Sequence, residues 1–174
     1  MIYTQAEIVQ NISKSFQEVT DWLSAHPDEK FEQGPIDKWN TSQHLDHLMN
    51  SAKRIATALQ LPKMVLRARF GKPNNQVARD YDTIVAFYRK KLKTIPPTVV
   101  PRGKMHPVSE KANMLESFQK QGEGLAKIVR NWSAEDLDNY LLPHPLLGKM
   151  TIREFLLWMI YHNYHHLNNL KSNY

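Results

Sequence analysis

Residues 151–170 read TIREFLLWMIYHNYHHLNNL, and the rest of the chain is organised around this stretch. Its start predicts a helix N-terminus, because Thr151 can cap the helix and Glu154, three residues later, can bond back to it. The residues that share one helix face, at spacings of three and four, are Ile152, Phe155, Met159, His162 and His166. Two imidazoles therefore lie where a helix that faces a protein core carries apolar side chains.

The two imidazoles of this face, His162 and His166, can be explained in two ways. Burying unpaired imidazoles is costly, and binding of a metal ion is a common way to satisfy them. Alternatively, this end of the helix faces water, and its histidines bond one another and the solvent. The helix alone does not decide between the two interpretations.

Composition limits the protein class. A chain of 174 residues predicts one domain, residues 1–174, that is large enough to bury a core. The chain has no cysteine, which excludes disulfides, cysteine-ligated zinc and a cysteine nucleophile, so thiol chemistry would need a thiol from a cosubstrate. No signal-like N-terminus or apolar run of about 18 residues is found, so we expect a cytoplasmic protein without a membrane span.

The net charge of +6 raises the question of a nucleic-acid partner. The basic residues are spread along the chain, and the densest run, residues 89–93, lies on a predicted helix whose other face is apolar. No recognisable nucleic-acid-binding signature accompanies this run. The sequence therefore does not favour a nucleic-acid partner.

Four amphipathic helices of about 20 residues predict an all-α protein, a four-helix bundle. The first is predicted at 5–25 after a cap at Thr4, the second from a cap at Asn40 to about Leu61, and the third at about 110–131 after a cap at Ser109. The fourth helix follows the loop LLPHPLLGKM. Gly122 and Gly124 lie inside the third helix and predict close packing there.

A long connection, residues 62–108, joins the second and third helices. It is predicted to contain an extra helix at 80–94, a surface turn at Phe70-Gly71 and an extended stretch around Pro96, Pro97 and Pro101. Such a crossover permits up-down-down-up order, whereas the other two connections are short enough for antiparallel neighbours.

This order predicts which histidines can meet. His47 lies about 10 Å along the second helix from its start, and the midpoint of His162 and His166 lies about 10 Å from the end of the fourth. In an antiparallel pair these positions are level with each other. In a parallel pair they would be offset by roughly 9 Å.

Two motifs carry a resemblance to a known family. The first is WNTSQHLDHL, residues 39–48, in which a tryptophan precedes a capped helix with a histidine eight residues later. The second begins at HPLLG, residues 144–148, continues through Glu154 and ends at HNYHH, residues 162–166. Together they resemble the DinB-like superfamily over nearly the whole chain. The resemblance implies an up-down-down-up bundle and a divalent metal ion held by His47, His162 and His166.

The other histidines leave alternatives open. Periodicity places His44 closer to the apolar stripe than His47, so His44 either ligates the ion itself or supports the site. His165 points about 100° away from His166, which disfavours it as a ligand of the same ion, and a role as general base is a hypothesis for it. We assign His144 to loop structure and expect His26 and His106 to be exposed.

A three-histidine site suits zinc, nickel, iron, cobalt or manganese and leaves a position open for water or a thiol. Some members of the family are thiol S-transferases that use bacillithiol or mycothiol. The resemblance thus implies a metal-dependent thiol S-transferase that acts on small electrophiles. A metal-dependent hydrolase and a non-catalytic, stress-linked metal-binding bundle remain alternatives. The expected partners are a small-molecule substrate and a low-molecular-weight thiol. The sequence permits a homodimer without requiring one.

Overall fold

The computed structural model describes residues 3–74, 78–96 and 99–174, and these residues are mainly α-helical. The four long helices are α1 (Gln5–Ala25), α3 (Thr41–Leu59), α6 (Lys111–Arg130) and α8 (Ile152–Asn173). The shorter elements are α2 (Glu29–Glu32), α4 (Lys63–Phe70), α5 (Tyr81–Leu92), a 3-10 turn (Val108–Glu110), α7 (Ala134–Asn139), and strands β1 (Leu141–His144) and β2 (Gly148–Thr151). The predicted all-α class is confirmed.

The predicted helix starts rest on capping residues, and three of them are confirmed. Thr4, Asn40 and Thr151 each accept a bond from the backbone N–H three residues on, and the side chain at that position bonds back. The predicted cap at Ser109 is wrong. Ser109 lies inside the 3-10 turn, and α6 begins after Glu110 without a side-chain cap.

The long helices pack in an order that the connections did not suggest. Helix α1 lies against α6 and α8, and α3 lies against the same two helices. The short connections predicted that α1 neighbours α3 and that α6 neighbours α8, but neither pair is among the strong contacts between the described elements. The connections are long enough for this arrangement, because residues 26–40 include α2, and residues 131–151 include α7 and both strands.

Helix α8 is the centre of the core. Every residue from Ile152 to Asn163 is buried, so its first half has no solvent face, whereas the sequence predicted one apolar stripe. Contacts with α1, α3, α5, α7 and the two strands surround it. Arg79, in the connection before α5, bonds both carboxylate oxygens of Glu154 at 2.8 to 3.0 Å and so ties the crossover to the start of α8.

The crossover holds two helices rather than the one predicted. Helix α5 lies within the predicted 80–94. The second helix, α4, occupies the residues before the turn predicted at Phe70-Gly71, where the sequence predicted no helix. Only Leu66 of α4 is buried, so the helix has no apolar stripe that periodicity could detect. Gly71 ends α4 at a φ of 85°, a conformation that favours glycine. Pro97 lies outside the described residues.

The predicted loop before α8 is a β-hairpin. Strands β1 and β2 pair antiparallel, with Leu141 opposite Thr151 and His144 opposite Gly148. Strands of four residues are too short to show a clear alternation in sequence. None of the helices in the described part of the chain is long and apolar enough to cross a membrane.

Gly122 and Gly124 give a matched test of helix packing. A Cβ on Gly122 would lie 2.5 Å from Cγ of Phe16 in α1, whereas one on Gly124 would meet nothing within 4 Å. We expect Gly122→Ala to lower the free energy of unfolding by about 1–3 kcal/mol through overpacking. Gly124→Ala should raise it by about 0.5–1 kcal/mol through better helix propensity. Urea unfolding measures both, and equal effects of the two substitutions would contradict this packing.

Candidate metal centre

Helices α3 and α8 bring four histidines together near the end of the bundle. Nδ1 of His44 lies 2.8 Å from Nδ1 of His166, and Nε2 of His47 lies 3.1 Å from Nε2 of His162. The earlier residue of α3 thus meets the later residue of α8, which is the order expected of antiparallel helices. The predicted meeting of these histidines is confirmed.

Three of these imidazoles form a candidate metal site, which we call the histidine cluster: His47, His162 and His166. Nε2 of His162 lies 3.1 Å from Nε2 of both neighbours, and all three ligand atoms lie within 4.8 Å of one another. Nitrogen ligands of a tetrahedral zinc ion stand about 3.3 Å apart, given metal–nitrogen distances of about 2.0–2.1 Å. The spacing of the cluster therefore fits a divalent ion.

The hydrogen bonds behind the histidine cluster fix how its imidazoles are protonated. Nδ1 of His47 lies 3.2 Å from the carbonyl oxygen of Pro101, which only accepts, so His47 carries its proton on Nδ1. The Nε2 atom of neutral His47 is then a free lone pair aimed at His162. Nδ1 of His166 has a corresponding partner in Nδ1 of His44. Such outer contacts orient metal-binding histidines in proteins.

The contacts within the cluster are not satisfied by protons alone. A neutral His162 can carry one proton on Nε2, and this proton can serve only one of the two neighbouring Nε2 atoms. Nδ1 of His162 is buried and has no hydrogen-bond partner among the described residues. A cation bound by three Nε2 lone pairs would satisfy the three Nε2 atoms and would place the His162 proton on Nδ1.

Burial keeps the cluster uncharged, which is the form that binds metal ions. Desolvation, followed by the other histidines, holds the pKa values of His162 and His166 well below their usual range. Burial also lowers the pKa of His44 to about 4. It lowers the pKa of His47 as well, although the bond to the Pro101 carbonyl acts in the opposite direction.

The structure bears on the choice between His44 and His47. His44 is buried with 6% of its surface exposed, as the helical wheel indicated, but it stands behind His166. His47 is only half-buried, yet its Nε2 belongs to the group of three converging nitrogens. This group therefore lies at the edge of the apolar stripe of α3, where periodicity gives no signal. The ring of Trp39 covers His44, His47 and His166 at centroid distances of 5.1 to 5.8 Å.

The remaining histidines lie outside this group. His165 is half-buried, and its Nε2 lies 3.3 Å from the amide nitrogen of Asn169. His26 and His106 were predicted to be exposed, but both are partly covered. His26 stacks on Trp22, and His106 bonds Asp46 and Glu110. Trp22 and Glu110 lie only four residues from these histidines, whereas Asp46 is distant in sequence.

A cavity of about 550 Å³ adjoins the histidine cluster. His47 and His162 line it, together with apolar side chains from the crossover, the hairpin and α8. Its charged lining residues are Arg54, Arg102, Lys104 and Asp46, so cations outnumber anions. An apolar cavity with few polar groups is typical of a small-molecule site.

One wall of the cavity is the chain segment 99–104, which is held close to α3. A Cβ on Gly103 would lie 2.0 Å from the carbonyl oxygen of Gln43, so only glycine permits this approach. The backbone N–H of Lys104 donates to the carboxylate of Asp46 at 2.9 Å. These contacts place the Pro101 carbonyl against His47.

Sequence reasoning missed His144, which it assigned to loop structure. The hairpin folds back along α8, so the His144 ring lies 4.3 Å from the ring of Trp158 and lines the same cavity as His162. Trp158 in turn stacks on His162 at 4.5 Å. The rise along α8 from its start to His162 is not the separation of His144 from the cluster, because the hairpin returns His144 towards the cluster.

The buried histidines predict how stability depends on pH when no ion is bound. His44 and His144 have pKa values lowered to about 4, so between about pH 6.5 and 4 the unfolded chain binds protons that the folded chain does not. Their stabilising contribution is complete above pH 6.5 and is lost as the pH falls towards 4. We expect the free energy of unfolding in chelator, measured with urea, to decrease steadily from pH 7 to 5.

His144→Asn should make the pH dependence of the free energy of unfolding shallower, by up to about 1.4 kcal/mol per pH unit. The substitution removes one of the histidines whose pKa is lowered by folding. A free energy of unfolding that stays constant from pH 7 to 5 in the parent protein would contradict the burial of neutral histidines.

Comparison with known proteins agrees with these features. A sequence profile of the DinB superfamily matches residues 11–170, a range that contains the whole histidine cluster. The comparison with curated proteins gives no match. Because the profile covers most of the sequence, the chain belongs to the DinB superfamily.

Proposed function

We propose that this protein is a divalent-metal-dependent thiol S-transferase that acts on small electrophiles, with the ion held by His47, His162 and His166. The observation that carries the proposal is the convergence of three Nε2 atoms beside an apolar cavity. Two of the three residues, His47 and His162, line that cavity, so its contents can reach the cluster. Three protein ligands with a further position free are typical of catalytic rather than structural metal sites.

The chain itself supplies no thiol, because the sequence has no cysteine. A bound divalent ion would supply the positive charge that favours the thiolate form of a cosubstrate thiol at neutral pH. The residues around it would orient the reactants. The apolar wall formed by Phe155, Trp158 and Leu142 suits the body of an electrophile and excludes water from it. The cations Arg54, Arg102 and Lys104 would attract an anionic thiol or electrophile.

His44 and the Pro101 carbonyl support this role from behind the cluster. The carbonyl holds the His47 proton on Nδ1, and His44 can accept the His166 proton from Nδ1, so both Nε2 atoms keep their lone pairs. His165 does not line the cavity, and its ring bonds Asn169 instead. We therefore propose a ligand-supporting role for His44 and no role in proton transfer for His165.

Metal affinity tests this assignment. We expect His44→Leu to weaken binding of Zn²⁺ by about 10- to 100-fold, as loss of an outer partner of a ligand does. His162→Ala should weaken it further, because a ligand is removed. Competition with a chromophoric chelator measures the dissociation constants. The matched control is His165→Leu, which should leave affinity unchanged. Equal affinities of the His44→Leu variant and the parent protein would contradict the supporting role.

Turnover tests the reaction. The metal-loaded protein should conjugate low-molecular-weight thiols to 1-chloro-2,4-dinitrobenzene faster than the spontaneous reaction. We expect His162→Ala to reduce this rate by at least about 100-fold, because loss of a metal ligand removes the group that favours the thiolate. His165→Ala should retain the rate. Absorbance of the conjugate follows both reactions.

Three outcomes separate the proposal from its alternatives. Unchanged turnover after His162→Ala would refute the S-transferase. Metal-dependent cleavage of ester or amide substrates without added thiol would show a hydrolase instead. A purified protein that contains no metal by elemental analysis, and whose stability is the same in chelator, would indicate a non-catalytic bundle.

A further inference from the structure

His144 lies at the end of β1 and lines the cavity separately from the histidine cluster. Only 5% of its surface is exposed, and its ring packs against Trp158 at 4.3 Å and Phe155 at 5.5 Å. It lines the same cavity as His47 and His162 but does not belong to the histidine cluster. Its place is therefore beside the proposed metal site, with the indole of Trp158 between them.

The hairpin turn fixes which nitrogen of His144 carries the proton. Nδ1 accepts hydrogen bonds from two backbone N–H groups, those of Leu146 at 3.0 Å and Leu147 at 3.1 Å. A nitrogen that accepts two such bonds carries no proton. Since burial also keeps the ring neutral at physiological pH, its pKa being lowered to about 4, the single proton must lie on Nε2. His144 is thus a fixed N–H donor.

This donor has no acceptor among the described residues. Within the described part of the chain, no hydrogen bond to Nε2 of His144 is found, although two are found to Nδ1. Nε2 is also absent from the fully enclosed polar atoms that lack a partner, so it is accessible from the cavity that His144 lines. A polar group held in an apolar cavity without a partner is a specificity element for whatever ligand supplies the partner.

The surroundings of this donor limit the chemistry of its ligand. Leu142, Leu146 and Phe155 give the cavity an apolar wall around it, together with Trp158. The ligand must therefore combine an apolar body with one accepting atom. Cations outnumber anions among the lining residues, so the accepting atom can carry partial or full negative charge.

We propose that His144 is a substrate-binding residue whose Nε2–H donates to the oxygen of a carbonyl or carboxylate group on a small apolar molecule in the cavity. This inference rests on the proposed function, because it takes the cavity as the site of the electrophile. A donor fixed in this position stabilises negative charge on the bound oxygen without having to reorient. The electrophile would thus belong to the class of carbonyl-bearing compounds.

Three probes of nearly equal shape test the donor without any turnover. Acetophenone carries a ketone oxygen, benzoate carries a carboxylate, and α-methylstyrene has a CH₂ group in place of the ketone oxygen. Ligand-observed NMR titration of the metal-loaded protein gives the dissociation constants. We expect at least one oxygen-bearing probe to bind about 3- to 10-fold more tightly than α-methylstyrene, which corresponds to one hydrogen bond. Which of the two binds more tightly distinguishes a ketone from a carboxylate.

Substitution assigns the preference to His144. Asparagine can still accept the backbone N–H groups of the turn, but its shorter side chain withdraws the donor from the cavity. We expect His144→Asn to abolish the preference for the oxygen-bearing probe. The matched control is His26→Asn, the same change at a histidine that stacks on Trp22 outside the cavity, and it should keep the preference. If His144→Asn does not fold, the ¹⁵N shift of Nε2 in the parent protein replaces it, and this shift should move with the oxygen-bearing probe alone.

Each result decides the matter. Equal affinity for all three probes, no binding of any of them, or a preference that survives His144→Asn would overturn the inference. A His144-dependent preference without thiol transfer would refute the S-transferase and leave the donor in place. Thiol transfer without the preference would refute the role of His144 as a donor and leave the S-transferase in place.

Discussion

The cost of burying imidazoles governs this structure. The first half of helix α8 is enclosed on all sides, yet the helix carries His162 and His166 into the core. Burying a neutral imidazole costs less where its nitrogens have hydrogen-bond partners, and α3 supplies such partners to His166 and His162 through His44 and His47. The contact between α3 and α8 is therefore made by polar side chains, whereas the rest of the core is mainly apolar. Nε2 of His162 faces two other Nε2 atoms there, and the single proton of a neutral His162 can serve only one of these two contacts.

The connections between the long helices contribute as much to the site as the helices do. The segment 99–104 crosses α3 and directs the Pro101 carbonyl at His47, and the hairpin turns back along α8 and places His144 beside Trp158. Each connection fixes one imidazole through backbone groups, by a carbonyl in one case and by two N–H groups in the other. The proposed metal site and the proposed substrate donor are thus oriented by the main chain.

The sequence predicted those features that depend on local pattern. Capping pairs such as Thr151 with Glu154 marked three helix starts, and helical spacing placed His47 level with His162 and His166. Features that depend on chain reversal were missed. Helix α4 buries only Leu66, the strands have four residues each, and His144 reaches the cavity only because the hairpin folds back. Periodicity correctly placed His44 nearer the buried face than His47, but it gave no signal for the converging nitrogen of His47, which lies at the edge of the apolar stripe.

The segment 99–104 has an implication for how this scaffold can diversify. It is a surface connection that approaches α3 closely at Gly103, and it contributes a wall of the cavity but no residue of the histidine cluster. Exchanges in length or composition on either side of Gly103 would remodel the space next to the cluster while leaving the register of α3 and α8 untouched. Connections tolerate such changes far better than packed helices do. Variation of this one loop would therefore change which small molecules the cavity accepts, while the histidine cluster stays constant.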